Sequence, residues 1–270
     1  MSGAASHVPG LWATDVEILR LGGSAIEDRG DHLVVRSPHN PGYHWGNFVL
    51  VTDPHAVDHA DRWIAAFDAE FPDADHLSIG LPGEPGRGPW AAREVQVEAE
   101  LVLTSGAPVP TTAEPAGYRS HPIESPDEWA AVVAMDLAEL TADGQPDTDA
   151  TRLFRQRRAA TRSALVDRGV AAFFGASTPA GLVAQLGIVL CGPIGEARQV
   201  ARFQHVGTLA EHRGQGLASH LLGVAAQWAG HRGADRWEIH VDAGTAAHRL
   251  YTALGFVPHG MLWQATRATG

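Results

Sequence analysis

From Thr208 to Ala218 the chain reads Thr-Leu-Ala-Glu-His-Arg-Gly-Gln-Gly-Leu-Ala. A β-rich run gives way to two closely spaced glycines, and an apolar helical pattern starts at once. Glycines at such a junction let backbone amides turn inward with no Cβ in the way. Those amides and the following helix N-terminus form a positive concavity suited to a diphosphate. Two other glycine signatures do not fit. A Walker loop ends in Gly-Lys-Ser/Thr, and all 20 basic residues of this chain are arginine. A dinucleotide fingerprint needs three spaced glycines early in a βαβ unit. Taken alone, the turn is as compatible with a structural role as with ligand binding.

The elements that must hold this turn are legible around it. Gln199 to Leu209 patterns as a strand leading in. Gln215 to His231 patterns as a helix leading out, with Leu217, Leu221, Val224, Ala225 and Trp228 on one face. Trp237, Ile239 and Val241 alternate as a strand, Thr245 to Leu254 reads as a helix, and Phe256 to Gln264 as a last strand. Upstream, Ser125-Pro126-Asp127-Glu128 is a helix start, and Asp149 to Val166 a second helix. Val170 to Phe174 and Gly181 to Leu190 form a strand pair around a Thr178-Pro179-Ala180-Gly181 turn.

The second informative stretch is Ala247-His248-Arg249-Leu250-Tyr251-Thr252-Ala253-Leu254-Gly255-Phe256. As a pair the two stretches resemble the GNAT superfamily of acyl-CoA-dependent N-acyltransferases. Arg213 to Ala218 is similar to that family's Arg/Gln-x-x-Gly-x-Gly/Ala loop, and Leu250 to Phe256 to its helix ending Leu-Tyr-x-x-x-Gly-Phe. The resemblance covers Val206 to Pro258 closely and extends by element order back to Tyr118. It implies an α+β fold with a mixed, mostly antiparallel sheet flanked by helices. It also implies that the strands before and after the cofactor helix splay around a pantetheine arm. On that resemblance, Arg213, Gly214, Gln215, Gly216, Leu217 and Ala218 would hold the diphosphate of acetyl-CoA. Backbone groups near Val206 and Thr208 would pair with the arm and polarise the thioester, and Ala247 would line it. Tyr251 matches the tyrosine that protonates the departing thiolate, as a hydroxyl of pKa near 10 can. One departure is Gly244, where the family commonly carries an asparagine; a side-chain contact to the arm is lost there, the backbone cradle is not.

A general base is harder to assign. His205, beside Val206, is the first candidate, with a partly exposed strand histidine as the plain alternative. Glu238, His240 and Asp242 alternate onto the face opposite Trp237, Ile239 and Val241, lining an acceptor cleft or facing solvent. Glu211 simply precedes the helix. Arg152, Arg155, Arg158 and Arg162 recur at helical spacing, which describes a solvated face or contact with an acidic acceptor or a phosphate. His55 and His59 flank Asp58, yet no His-Glu-x-x-His pattern accompanies them, and no metal is expected. The single cysteine, Cys191, sits in an apolar run and reads as a buried inert thiol rather than a nucleophile.

Composition bounds the partners. The 270 residues carry a formal net charge of −11, which argues against nucleic acid and anionic membranes. It suits a cationic small-molecule or peptide amine, and is also the charge that plain solubility requires. Fifteen histidines make the surface charge steeply pH-dependent. With no signal segment and no long apolar run, the expected place is the bacterial cytoplasm. Self-association, including a homodimer, is left open.

Ser105 to Gly117, with Pro108, Pro110 and Pro115, reads as a linker. It divides a first region, 1–115, from a catalytic one, 116–270. In the first, Leu33 to Val35, Phe48 to Thr52, Leu77 to Leu81 and Val95 to Leu103 read as strands. Asp53-Pro54 opens a helix that Pro72 ends. The element order resembles a worn GNAT core, but an acidic residue and a proline occupy the place of the glycine turn. This half is expected not to bind acyl-CoA; it would extend the sheet and wall the acceptor site. The sequence thus reads as an N-acetyltransferase in which the amine attacks acetyl-CoA directly in a ternary complex. A mycothiol-synthase-like tandem acyltransferase and a non-catalytic acyl-CoA sensor are the alternatives.

Overall fold

The computed structural model describes residues 8–192 and 199–268. Its frame is one mixed, mostly antiparallel sheet of eleven strands. In chain order these are β1 (Ala25–Asp28), β2 (His32–Arg36), β3 (Phe48–Val51), β4 (His76–Leu81), β5 (Gln96–Ser105) and β6 (Arg119–Pro122). There follow β7 (Ala171–Thr178), β8 (Gly181–Cys191), β9 (Gln199–Thr208), β10 (Ala234–Val241) and β11 (Val257–Ala268). The helices are α1 (Ala13–Leu21), α2 (Ala60–Glu70), α3 (Arg87–Ala91), α4 (Pro126–Ala142), α5 (Asp149–Asp167), α6 (Leu217–Gly230) and α7 (Ala246–Ala253). Local chemistry sets their starts. Ser125 and Glu128 close a capping box on α4, Thr148 caps α5, and Thr245 caps α7.

The spatial order is β1-β2-β3-β4-β11-β5-β10-β9-β8-β7-β6. Two strands have changed places. β5, from the first half of the chain, lies antiparallel to β10, with Val241 opposite Leu101 and Trp237 opposite Ser105. β11, from the second half, lies antiparallel to β4, with Trp263 opposite Leu81. The exchanged strands also pair with each other from Val257–Thr104 to Thr266–Gln96. The sheet expected to be extended by the first half is therefore continuous, and each half completes the other.

Alternation along the strands sends side chains to two helical layers. One face packs Leu101, Leu103, Phe203, Trp237, Ile239 and Val241 against α6, and Ile79 and Leu81 against α2. The other carries Val102 and Leu262 under α1, and Phe173 and Val189 under α4 and α5. The segment from Ser105 to Gly117 is irregular, as expected of a linker, but it is docked. Val109 is buried in the α6 core, and Gly223 of α6 lies so close that a Cβ there would meet the Pro110 carbonyl oxygen at 2.7 Å. Among the described residues no helix is long and apolar enough to cross a membrane.

Candidate active site

β9 and β10 run parallel only at their beginnings. Ala201 faces Trp237 and Arg202 faces Glu238, and no further pairs follow. Beyond them the strands part, leaving the later edge of β9 unpaired. On its other side β9 carries a bulge. Gly187 pairs with Gln204 and Gln185 with Gly207, so His205 and Val206 together oppose Leu186. His205 absorbs the extra residue with a left-handed φ of 55°, uncommon for a side chain that is not glycine. The result is a cleft of about 430 Å³ lined by Arg202, His205, Val206, His240, Ala247 and Tyr251 among others.

At the end of β9 the glycine turn takes the form its residues require. Gly214 and Gly216 have φ of 76° and 81°, and Gly216 in the left-handed conformation starts α6. The Arg213 amide is bonded to Ala210 O and the His220 amide to Gly216 O. The intervening amides precede the first helical acceptors and are left for a ligand or solvent. Residues 213–216 are exposed, and the Arg213 side chain is tied back by Nε donating to Thr208 O at 2.9 Å. A diphosphate fits this donor set: free amides, a helix N-terminus and no carboxylate in the turn itself from Arg213 to Ala218.

Across the cleft, Ala247 and Tyr251 stand one turn apart on α7, on its inner face. Tyr251 is 5 % exposed, and burial pushes its hydroxyl up to about 12, so it stays protonated. His205 meets the buried Asp136 of α4, with 2.8 Å between Nε2 and Oδ1. Burial raises Asp136, but the His205 bond and the charges of Arg162 and Arg155 outweigh it and hold the carboxyl down to about 2. An ionised carboxylate only accepts, so His205 Nε2 donates and Nδ1 is the basic nitrogen. Burial, then Arg162, pulls His205 down to about 4. Gln185 Nε2 also donates to Asp136, at 2.6 Å.

A second polar group lies deeper, where β5, β9 and β10 face α1. Glu238 Oε1 accepts from Thr14 and lies 3.1 Å from His240 Nε2 and 3.6 Å from Arg202 Nε. His240 Nδ1 is 3.6 Å from Glu100 and 3.7 Å from Asp15. Burial and Arg202 oppose a charge on His240, yet Asp15, Glu100 and Glu238 together outweigh them and raise its pKa.

Residues 136–256 match the acetyltransferase (GNAT) family. The chain carries a GNAT domain. No functionally curated protein matches the sequence. Among solved structures, a functionally unknown conserved protein from Staphylococcus epidermidis is 14% identical, with a TM-score of 0.67 over 90% of this chain and 92% of that one. A GCN5-related N-acetyltransferase from Kribbella flavida is 18% identical, with a TM-score of 0.61 over 96% of both chains. A tandem GNAT protein from the clavulanic acid biosynthesis pathway is 18% identical, with a TM-score of 0.53 over 99% of this chain and 95% of that one. Acyltransferase activity is what the family indicates, and the GNAT fold runs through most of the chain.

Within the GNAT domain the predicted residues fall into two places. His205, Val206, Ala247 and Tyr251 share the cleft. Arg213 to Ala218 form the turn between β9 and α6, where the Leu217 side chain is buried in the core. Thr208 lies at the junction, its carbonyl engaged by Arg213. Glu238 and His240 point to the α1 face as their alternation implies, and both are buried rather than solvated. Cys191 is buried and its thiol pKa is raised by burial, as expected of an inert thiol. His55 and His59 do not form a ligand group; the one cluster of metal-ligating types among the described residues is His44, Asp75 and His76. Asp136, Asp15, Glu100 and Arg202 were missed. Asp136 carried a signal: it falls seven residues after Trp129 and four after Val132, on an otherwise apolar helix stripe.

Proposed function

We propose that this protein is an N-acetyltransferase that moves the acetyl group of acetyl-CoA to a primary amine in the cleft between β9 and β10. The observation carrying this reading is that a protonated Tyr251 faces the bulged β9 strand across one cleft, and that this same strand runs on into the glycine turn with its free amides. Amides of residues 214–219 would hold the diphosphate, and the β9 edge left unpaired where β10 parts from it would pair with the pantetheine arm and polarise the thioester carbonyl. The amine forms the new C–N bond while the C–S bond breaks, and Tyr251 gives its proton to the departing sulfur. Holding both reactants in line supplies much of the acceleration.

The amine must also lose a proton. His205 is neutral but a weak base, because burial and Arg162 disfavour its charged form. His240, backed by three carboxylates, is the stronger acceptor and lines the same cleft. We therefore assign proton acceptance to the His240–Glu238 pair, with His205 as its alternative. His240→Gln and His205→Gln separate them: the residue in use is the one whose loss removes the acid limb of the rate profile.

The first region, 1–115, acts here as a GNAT-like partner without a cofactor turn, and supplies Asp15 and Glu100 to the acceptor side. The test is titration calorimetry with acetyl-CoA, followed by an amine-library screen monitored by free thiol. Binding with turnover supports the enzyme. Binding without turnover on any amine points to an acyl-CoA sensor, and absence of binding ends both readings.

A further inference from the structure

The arginine row of α5 does not behave as one solvated face. Arg152 is exposed and paired with Asp147. Arg155, Arg158 and Arg162 turn inward, and Arg162 has only 9% of its side chain exposed. Their carboxylate is Asp136, 3.8 Å from Arg155 and 3.9 Å from Arg162, and it already accepts from His205 and Gln185. Two guanidiniums therefore share the second oxygen of one carboxylate, and Arg158 beside them has no ion pair among the described residues, in a chain whose net charge is −11. Arg158 stacks over Tyr43 and Phe154, and Arg162 over Phe173, but neither donates a hydrogen bond to any described residue. Burial and then Arg158 lower the pKa of Arg162 to about 9, as two like charges in a dry place must. A buried guanidinium such as Arg162, with one carboxylate only at 3.9 Å and a like charge beside it, is under-satisfied unless a further anion completes it.

Arg158 and Arg162 line a cavity of about 120 Å³ bounded by α1, α5 and the loop before β3. Its walls are the aromatic rings of Trp12, Tyr43, Trp45 and Phe48. It also holds acceptor atoms without hydrogen-bond partners, Asp15 Oδ2 and Asn40 Oδ1. Asp15 joins it to the polar group of the cleft through His240 and Arg202, and Gln204 lines both spaces. Guanidinium donors, unpartnered acceptors and apolar rings lining one cavity complement a small zwitterion.

We propose that this cavity is the acceptor subsite and takes a carboxylate on Arg158 and Arg162, so that the acyl acceptor is an α-amino acid or a comparably small carboxylate-bearing amine. The inference rests on the acyl-transfer reading for its role, but not for the binding itself. The carboxylate sits on the two guanidiniums through charge-assisted bonds, while Asp15 draws the amine toward the cleft. The aromatic rings favour an apolar side chain.

The test uses matched pairs, leucine against isoamylamine and phenylalanine against phenethylamine, with phosphoethanolamine as a phosphate arm. Each is scored by thermal shift of the full-length protein without acetyl-CoA and by kcat/KM with it. The amino acids are expected to stabilise the protein and to exceed their decarboxylated partners at least tenfold in kcat/KM. Arg158→Met should cut that ratio about tenfold, and Arg158→Lys should restore part of it. Equal rates within each pair, or preference for phosphoethanolamine, overturn the proposal while leaving acetyl transfer standing. Amino-acid stabilisation that Arg158→Met abolishes, with no turnover on any amine, supports the carboxylate site and counts against the enzyme.

Discussion

The two halves of the sheet each contain a parallel strand pair connected through a helix, and they differ at the point where the chain leaves the first strand. After β9 come two left-handed glycines and a row of unspent amides. After β3 come Asp53 and Pro54, where the aspartate caps its own turn by accepting from the His55 amide and the proline has no amide to give. The spaces beside the strands differ in the same sense. β9 and β10 part around a cleft, whereas Trp12 fills the ground beside β4, donating to Leu81 O at 3.1 Å and pressing on Gly80. One scaffold thus ends its parallel strand once in free amides beside an open cleft and once in a self-capped turn beside a filled one; the difference lies in a few residues at a strand end.

The contrast is broken most directly by giving the second half the chemistry of the first. Gly216→Asp places a carboxylate at the α6 N-terminus, and acetyl-CoA affinity should fall by about 100-fold or more in calorimetry. Gly216→Asn bears a similar left-handed strain without the charge and should lose less than about tenfold; equal losses would assign the difference to backbone shape instead. Tyr251→Phe comes next. Loss of the proton donor should lower kcat by about 10–100-fold with acetyl-CoA affinity unchanged. An unaffected kcat would make Tyr251 a packing residue, as Trp12 is in the other half.

Two smaller effects concern how the halves hold together. Gly223→Ala drives a Cβ into the Pro110 carbonyl and should cost about 1–3 kcal/mol in denaturant unfolding, if the docked segment cannot yield. His205 takes its proton near 6.5 in the unfolded chain but only near 4 in the folded one. As pH falls through that window the unfolded state gains the proton first, so stability should drop by at most about 1.4 kcal/mol per pH unit. His205→Gln should flatten this slope. Asp136 does not mask it, since its depressed carboxyl loses its contribution below that window, as pH falls from about 3.8 to about 2.

The second half was the more legible because its information is local. The glycine turn, the caps at Ser125 and Thr245 and the apolar stripe of α6 each lie within a few residues of one another. In the first half, α1 escaped notice although Trp12, Val16 and Leu19 recur at helical spacing before Gly22-Gly23. β1 offered no alternation to read, being an edge strand with no buried residue. The strand exchange left no local trace at all, since β5 and β11 carry ordinary strand patterns whichever neighbour they choose. The Asp136–His205–Gln185 set joins three elements by contacts 49 and 69 residues apart in the chain, which single-sequence spacing does not reveal.

The crossing of β5 and β11 bears on how the molecule comes into being. As the ribosome delivers the chain in order, the first half cannot seat its missing strand until residues 257–268 have emerged, long after its own helices are ready. Until then β4 offers a bare hydrogen-bonding edge, and β5 waits for a neighbour that has yet to be translated. A messenger cut short before that stretch would yield a product with both halves incomplete, one for protein quality control rather than a half-active enzyme.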